Sequence, residues 1–281
     1  MLRVAIPNKG TLAEPARAML REAGYYAASS SRELVVHDPD NDAEFFFLRP
    51  RDIATYVGEG TLDVGITGRD MLLDSQAPAD ELLQLGFGGS TFRLAAPKGS
   101  ATTVADLNGK RIATSYAGVL SAWLQDQGIS ATVVELDGAV ENAVALGVAD
   151  WVADVVDTGT TLRQAGLEII GQPVMRSEAI VVRRKGAPAD AAVDTFIRRL
   201  NSVMVARAYV LVDYDIRRTL LERACEMTPG IESPTISDLA NPEWAAVRAM
   251  VSRREVHNVM DELYALGARG ILVTDIHACR L

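Results

Sequence analysis

The densest stretch of potential chemistry is Ala153-Asp154-Val155-Val156-Asp157-Thr158-Gly159-Thr160-Thr161-Leu162. An apolar strand ends in carboxylates, and a Thr-Gly-Thr-Thr turn opens a helix. Backbone N–H groups in the first turn of a helix are free and carry the positive end of the helix dipole. Threonine hydroxyls add donors, and a glycine lets the backbone come close to an anion. Thr158, Gly159, Thr160 and Thr161 therefore suit a phosphate, and Asp154 suits the hydroxyls of an attached sugar. A capped strand-to-helix turn without a ligand uses the same residue types. No Gly-Lys-Ser/Thr signature is present, so the turn is not an ordinary P-loop.

Other polar residues follow apolar runs in the same way. Lys9 stands in Pro7-Asn8-Lys9-Gly10 after Leu2–Ile6. Arg49 follows Glu44-Phe45-Phe46-Phe47-Leu48, and its planar fork suits phosphate or pyrophosphate. On spacing alone a turn lysine in water is the commoner occupant of the first position, and an arginine paired with Asp52 fits the second equally well. Asp70 closes Gly65-Ile66-Thr67-Gly68-Arg69-Asp70, either as a helix-start carboxylate or as an acceptor for a base or sugar. Tyr116 follows Arg111–Thr114 and offers a ring face to a nucleobase or to a core. Glu141 follows Thr132–Leu136 and reaches a cleft or complements a helix start. Ligands of open α/β sheets bind beyond the carboxyl ends of the strands, and these residues share that position.

The elements needed to place them are legible. Leu2–Ile6, Glu44–Leu48 and Leu62–Thr67 read as strands. Between and after them come a helix from a Thr11/Glu14 capping box to Gly24, a helix over Arg51–Gly58 and another from Arg69. Gly86-Phe87-Gly88-Gly89-Ser90 suits a crossover. A second α/β module follows, with strands Phe92–Ala96, Arg111–Thr114, Thr132–Leu136 and Trp151–Val156 and helices from Val119 and Val140. Ile180–Arg183 returns as a strand, and Ala191–Ala206 reads as a long helix. The last part reads strand Tyr209–Tyr214, helix Ile216–Met227, strands Pro234–Leu239 and Ala245–Val251, helix Val256–Leu266 and strand Gly270–Ile276. That βαββαβ order is ferredoxin-like.

Composition bounds the function. The 281 residues are 48% hydrophobic and carry a formal charge of −9, which suits a globular protein and disfavours broad nucleic-acid binding. Cys225 and Cys279 make no disulfide framework, and His37, His257 and His277 have no metal-ligand spacing. No apolar run is long enough for a membrane span, and the N-terminus does not read as a signal peptide, so the cytoplasm is the expected compartment.

Taken together, Pro7–Gly10, the stretch at 44–50, Gly65–Asp70, Asp154–Leu162 and Thr228-Pro229-Gly230-Ile231-Glu232-Ser233-Pro234-Thr235 resemble the ATP phosphoribosyltransferases over essentially the whole chain. The resemblance implies a catalytic part built like the two lobes of type II periplasmic binding proteins. Lobe I would take residues 1–90 with 178–206, and lobe II residues 91–177. A ferredoxin-like regulatory domain at 207–281 would mark the long form of the family. The implied reaction joins N1 of ATP to C1′ of phosphoribosyl pyrophosphate (PRPP), releases pyrophosphate with Mg²⁺ present and opens histidine biosynthesis. By motif match, Asp154 would hold ribose hydroxyls and Thr158–Thr161 the 5-phosphate. Tyr116 would meet the adenine, and Lys9 and Arg49 would lie near the pyrophosphate and triphosphate. Asp70 and Glu141 would add polar contacts in the same cleft, with no protein ligand assigned to the metal. Asp215, Ser233 and Thr235 would bind histidine as an inhibitor, and the assembly would be a dimer and a hexamer. The family carries a proline after the tyrosine, where this chain has Ala117-Gly118-Val119, so a looser loop is expected there. The competing reading is a two-lobed small-ligand-binding protein, or sensor, without catalysis. It leaves the Thr-Gly-Thr-Thr turn unexplained.

Overall fold

The structure is a computed structural model, described over residues 1–26, 34–100, 103–156 and 159–280. The chain divides into two compact units, Met1–Arg21 with Tyr25–Asp194 and Glu22–Gly24 with Thr195–Leu281.

In chain order the first unit contains β1 (Leu2–Pro7), α1 (Ala13–Glu22), β2 (Val35–Asp38), β3 (Ala43–Leu48), α2 (Pro50–Gly58), β4 (Val64–Gly68), α3 (Arg69–Ser75) and β5 (Ala79–Gln84). There follow β6 (Ser90–Pro97), β7 (Arg111–Thr114), α4 (Ala117–Gln127), β8 (Thr132–Glu135), α5 (Asn142–Ala145), β9 (Trp151–Val156), α6 (Thr160–Gln164), β10 (Leu167–Ser177) and β11 (Ala179–Arg184). They build two sheets. The first runs β2-β3-β1-β4-β11-β5 and the second β10-β6-β9-β7-β8. The centres, β3-β1-β4 and β9-β7-β8, are parallel, as strand–helix alternation requires. The chain crosses between the sheets after β5 and again between β10 and β11. Helices α2 and α3 cover the first sheet through Ile53, Ala54, Val57 and Leu72 against Ala5, Ile180 and Val182. The second sheet packs Phe92, Leu94, Ile112 and Trp151 against Leu120 and Leu124 of α4.

Three strands escape sequence pattern. The masked-by-charge alternation of Ala79-Asp80-Glu81-Leu82-Leu83-Gln84 puts β5 at a sheet edge, half in water. Strand β10 is another edge, broken by an irregular register between Ile170 and Met175. Strand β2 is only four residues long. Helix α1 begins at Ala13, and Glu14, expected in a capping box with Thr11, instead accepts a hydrogen bond from Arg21 at 2.9 Å. Residues Ala117-Gly118-Val119 form the first turn of α4 and not a loose loop.

Helix α7 (Ala191–Ala208) leads to β12 (Tyr209–Arg217), α8 (Leu221–Met227), β13 (Thr235–Asp238), β14 (Trp244–Ser252), α9 (Val256–Leu266) and β15 (Arg269–Asp275). The sheet order β13-β14-β12-β15 is fully antiparallel, the ferredoxin-like arrangement. The expected helix from Ile216 is displaced to Leu221. Ile216 continues the buried face of β12 formed by Val210, Val212 and Tyr214, so the strand runs on to Arg217. The Tyr214 hydroxyl ends the core by sharing a 2.7 Å hydrogen bond with Thr228 Oγ1.

Candidate active site

Two cavities adjoin at the carboxyl ends of the parallel strands. The larger, about 480 Å³, lies among Lys9–Leu12 after β1, Pro50, Gly68, Asp70 and Met71 at the start of α3, the crossover residues Gly88–Ser90, Tyr116 and Val155. The smaller, about 260 Å³, is lined by Glu141, Asp154, Val155, Val156 and Gly159–Leu162. Val155 borders both.

Strand order brings these groups together. Parallel β1 and β4 place Lys9 and Asp70 beyond the ends of neighbouring strands in one sheet; in the other, Tyr116 lies just beyond β7 and Asp154 lies within the last three residues of the adjacent parallel strand β9. Lys9 is exposed at the cavity and forms no ion pair among the described residues. Asp70 is pinned instead. Ser177 Oγ donates to Asp70 Oδ1 at 2.9 Å and accepts the Asp70 backbone N–H at 3.0 Å. A side chain at Gly68 would begin 2.1 Å from the same carboxylate oxygen. The Tyr116 hydroxyl also bonds Asp70, and burial, aided by the Asp70 charge, pushes the phenol well above its ordinary range. The Tyr116 ring meets the edge of Phe92 at 5.6 Å and lies under the Arg51 guanidinium at 5.0 Å. It is 8% exposed, so it presents a narrow part of its ring to the cavity.

In the smaller cavity two carboxylates face a short turn. Burial lifts Asp154 to about 6; the Val155 N–H, donating to its Oδ1 at 2.8 Å, opposes this, and the nearby Glu141 charge adds to it. Gly159 has φ +71° and stands as the residue before α6. Thr160 and Thr161 are exposed on the first turn. Helix α6 is five residues long, so its dipole is small and the local N–H and hydroxyl donors dominate. Thr158 lies outside the described residues.

Arg49 lines neither cavity and is exposed at the residue before α2. Its neighbour Arg51 is the arginine that reaches the second sheet, donating to the Ser115 carbonyl at 2.7 Å. Sequence spacing could not separate the two, because both follow the same strand. Arg93 was also missed. It sits within the apolar run of β6, and only sheet register reveals it directly opposite Asp154, with its Nε donating to Thr91 Oγ1 at 3.2 Å. Among the described residues no cluster of three or more His, Cys, Asp or Glu forms a metal cage.

In the second unit, Asp215 is half-buried on β12, and Thr235 is exposed at the start of β13. Both lie on the sheet face opposite the one that carries the core, whereas Ser233 is exposed in the turn before β13. Asp213 is occupied by Arg248 at 2.7 Å.

An exposed lysine in one cavity, with hydroxyl and N–H donors beside two carboxylates in the next, is an arrangement suited to a transferase that handles phosphorylated substrates. The family model described as ATP phosphoribosyltransferase matches residues 49–202, and that described as HisG, C-terminal domain, matches 206–278. An ATP phosphoribosyltransferase of Pseudarthrobacter chlorophenolicus is 61% identical over 284 residues, covering all of both chains. One from Streptomyces coelicolor is 58% identical over 285 residues, again covering all of both. Among solved structures, the ATP phosphoribosyl transferase (HisG:HisZ) complex from Thermotoga maritima matches with TM-score 0.62 at 29% identity, covering 72% of this chain and 97% of that one. The chain belongs to the ATP phosphoribosyltransferase family. It condenses ATP with PRPP, the first reaction of histidine biosynthesis, and the reading as a binding protein without catalysis is not favoured. None of its described helices is long and apolar enough to cross a membrane.

Proposed function

We propose that the two adjoining cavities divide the two substrates. The phosphoribosyl part of PRPP enters the smaller one, with its ring hydroxyls on Asp154 and its 5-phosphate on Thr158–Thr161. The adenine of ATP enters the larger one beside Tyr116. Lys9 faces the pyrophosphate and triphosphate; Arg49, which lies outside both cavities, is assigned to the same charges on the family match alone, and Asp70 and Glu141 are polar walls. The carrying observation is that Val155 borders both cavities, so a sugar carbon in one and a base nitrogen in the other become neighbours.

The chemistry asks for no nucleophile. As the bond to pyrophosphate breaks, C1′ takes on oxocarbenium character and negative charge grows on the leaving group. Lys9 lowers the barrier by meeting that charge, and the turn contributes by holding the sugar still. The donor set suits Mg²⁺, since Asp154 and Glu141 offer hard oxygens to a cation that otherwise keeps water and substrate phosphate. When bound there it supplies neutralisation of pyrophosphate charge. Replacing Lys9 with Ala is expected to lower kcat about 100-fold while moving the KM for ATP by less than about threefold, because its charge is matched mainly in the transition state. Steady-state kinetics with both substrates tests this. An unchanged kcat would remove Lys9 from the mechanism.

The domain limits we assign are 1–90 with 178–206, 91–177 and 207–281. The last is read as a histidine-binding regulatory domain, in a cytoplasmic enzyme of dimers and hexamers. Support comes from the carboxylate of Asp215, which forms no ion pair among the described residues, and the hydroxyl of Thr235 on the same sheet face, with Ser233 close in sequence. A carboxylate there suits an α-ammonium or imidazolium group, and hydroxyls suit an α-carboxylate. Asp215→Ala is expected to weaken histidine inhibition at least about tenfold without changing the KM for ATP, the loss of one charge-assisted hydrogen bond. Unaltered inhibition in that variant would refute the site.

A further inference from the structure

Arg51 and Asp74 belong to α2 and α3, which cover the first sheet, yet both are bonded to the start of α4 on the second. Arg51 Nη1 donates to Asp74 Oδ2 at 2.5 Å, and its Nη2 donates to the Ser115 carbonyl at 2.7 Å. The other Asp74 oxygen accepts the N–H groups of Gly118 at 2.9 Å and Val119 at 3.4 Å. Tyr116 precedes α4 but makes no side-chain cap to it, so the cap arrives from the other lobe. The approach is close. A Cβ on Gly118 would lie 2.3 Å from the Asp74 carbonyl oxygen.

The Tyr116 ring is held by three groups: Phe92 at an edge, Asp70 at the hydroxyl and Arg51 over a face. Two of them come from the first lobe. The ring therefore has its present position only while the lobes are together at this point. Arg51 suits the task because a planar guanidinium bonds in its own plane while stacking on a ring, and an ammonium does not. We propose that Arg51, anchored by Asp74, is a positioning residue for ATP: it fixes the Tyr116 ring at the cavity wall and couples that placement to closure of the lobes. The inference rests on the reading of Tyr116 as the adenine contact.

The full-length enzyme tests it with Arg51→Met, Arg51→Lys, Asp74→Asn, Tyr116→Leu and the Arg51→Met/Tyr116→Leu double variant. Arg51→Met is expected to raise the KM for ATP about tenfold and that for PRPP less than about twofold, as loss of a cation–π contact and two hydrogen bonds implies. Arg51→Lys keeps the ion pair but not the fork, and should recover only part of the loss. Asp74→Asn keeps an oxygen to cap α4 and should shift the ATP KM in the same direction by less. Tyr116→Leu should raise the ATP KM, and adding Arg51→Met to it should change nothing further, since the arginine acts through the ring. If Arg51→Met lowers only the melting temperature, the arginine is structural and the inference fails while the reading of Tyr116 stands. If Arg51→Met costs as much in the Tyr116→Leu background as alone, Arg51 meets ATP itself and the inference also fails. If Tyr116→Leu leaves the ATP KM unchanged, the adenine reading falls and takes this inference with it.

Discussion

Gly159→Val is expected to raise the KM for PRPP by about 10- to 100-fold and to leave that for ATP nearly unmoved. The position has φ +71°, a conformation that a β-branched residue adopts only under strain. A Cβ there would also lie 3.3 Å from Ile169 Cδ1 and 3.6 Å from Val156 Cγ1, so the side chain would press on the end of β9 and on β10. The turn must then shift, and its N–H groups leave the position proposed for the 5-phosphate. Each hydrogen bond to a charged group is worth about 1.5–3 kcal/mol, and 1.4 kcal/mol is about a factor of ten, which sets the range. Gly159→Asn is the control, because asparagine tolerates the left-handed region. It should fold like the parent and lose much less affinity. Kinetics and melting curves on the three proteins decide the matter. A folded valine variant with the parent's PRPP KM would take the phosphate away from this turn.

What the sequence discloses follows from how local each cause is. The parallel strands were legible because burial on both faces makes them continuous apolar runs, as in Val4–Ile6 and Trp151–Ala153. Their carboxyl ends could therefore be counted, and with them Lys9, Asp70, Tyr116, Glu141 and Asp154. Edge strands β5 and β10 were not legible. Their polar or interrupted patterns have meaning only beside a partner strand. The pairing of Arg51 with Asp74 spans 23 positions, their bonds to Ser115 and Gly118 join two lobes, and the contact of Asp70 with Ser177 spans 107, so no local pattern announces any of them. The choice between Arg49 and Arg51 likewise depends on the direction in which α2 leaves its strand, which their spacing does not encode. Residue type leaves Tyr116 open to either a nucleobase or a core, and the structure shows one face under Arg51 and the hydroxyl already engaged. Residue type indicated the chemistry available, and tertiary contacts determine how much of it remains unspent.

Asp154→Asn should make the protein more stable and the enzyme much worse, with both effects tied to pH. Burial, with Glu141 nearby, lifts the Asp154 carboxyl to about 6, whereas an unfolded chain holds an aspartate near about 3.9. Between those values the native state keeps a proton that the unfolded state has lost. Stability therefore falls as pH rises through this window, and the cost is complete above about 6. Asparagine has no charge to bury and retains an oxygen for the Val155 N–H. Its melting temperature should exceed the parent's at pH 8, and the difference should shrink through pH 6 and vanish below about pH 4. Catalysis moves the other way, because only the carboxylate is a strong acceptor for two ribose hydroxyls. The parent's kcat/KM for PRPP should climb with pH and level off above about 6, as the free enzyme ionises. The asparagine variant should lose about 100-fold or more at pH 8, from two charge-assisted hydrogen bonds, and should show no such limb. An asparagine enzyme that melts below the parent at pH 8, or that keeps the rise near pH 6, would mean that the titrating group at this site is not Asp154.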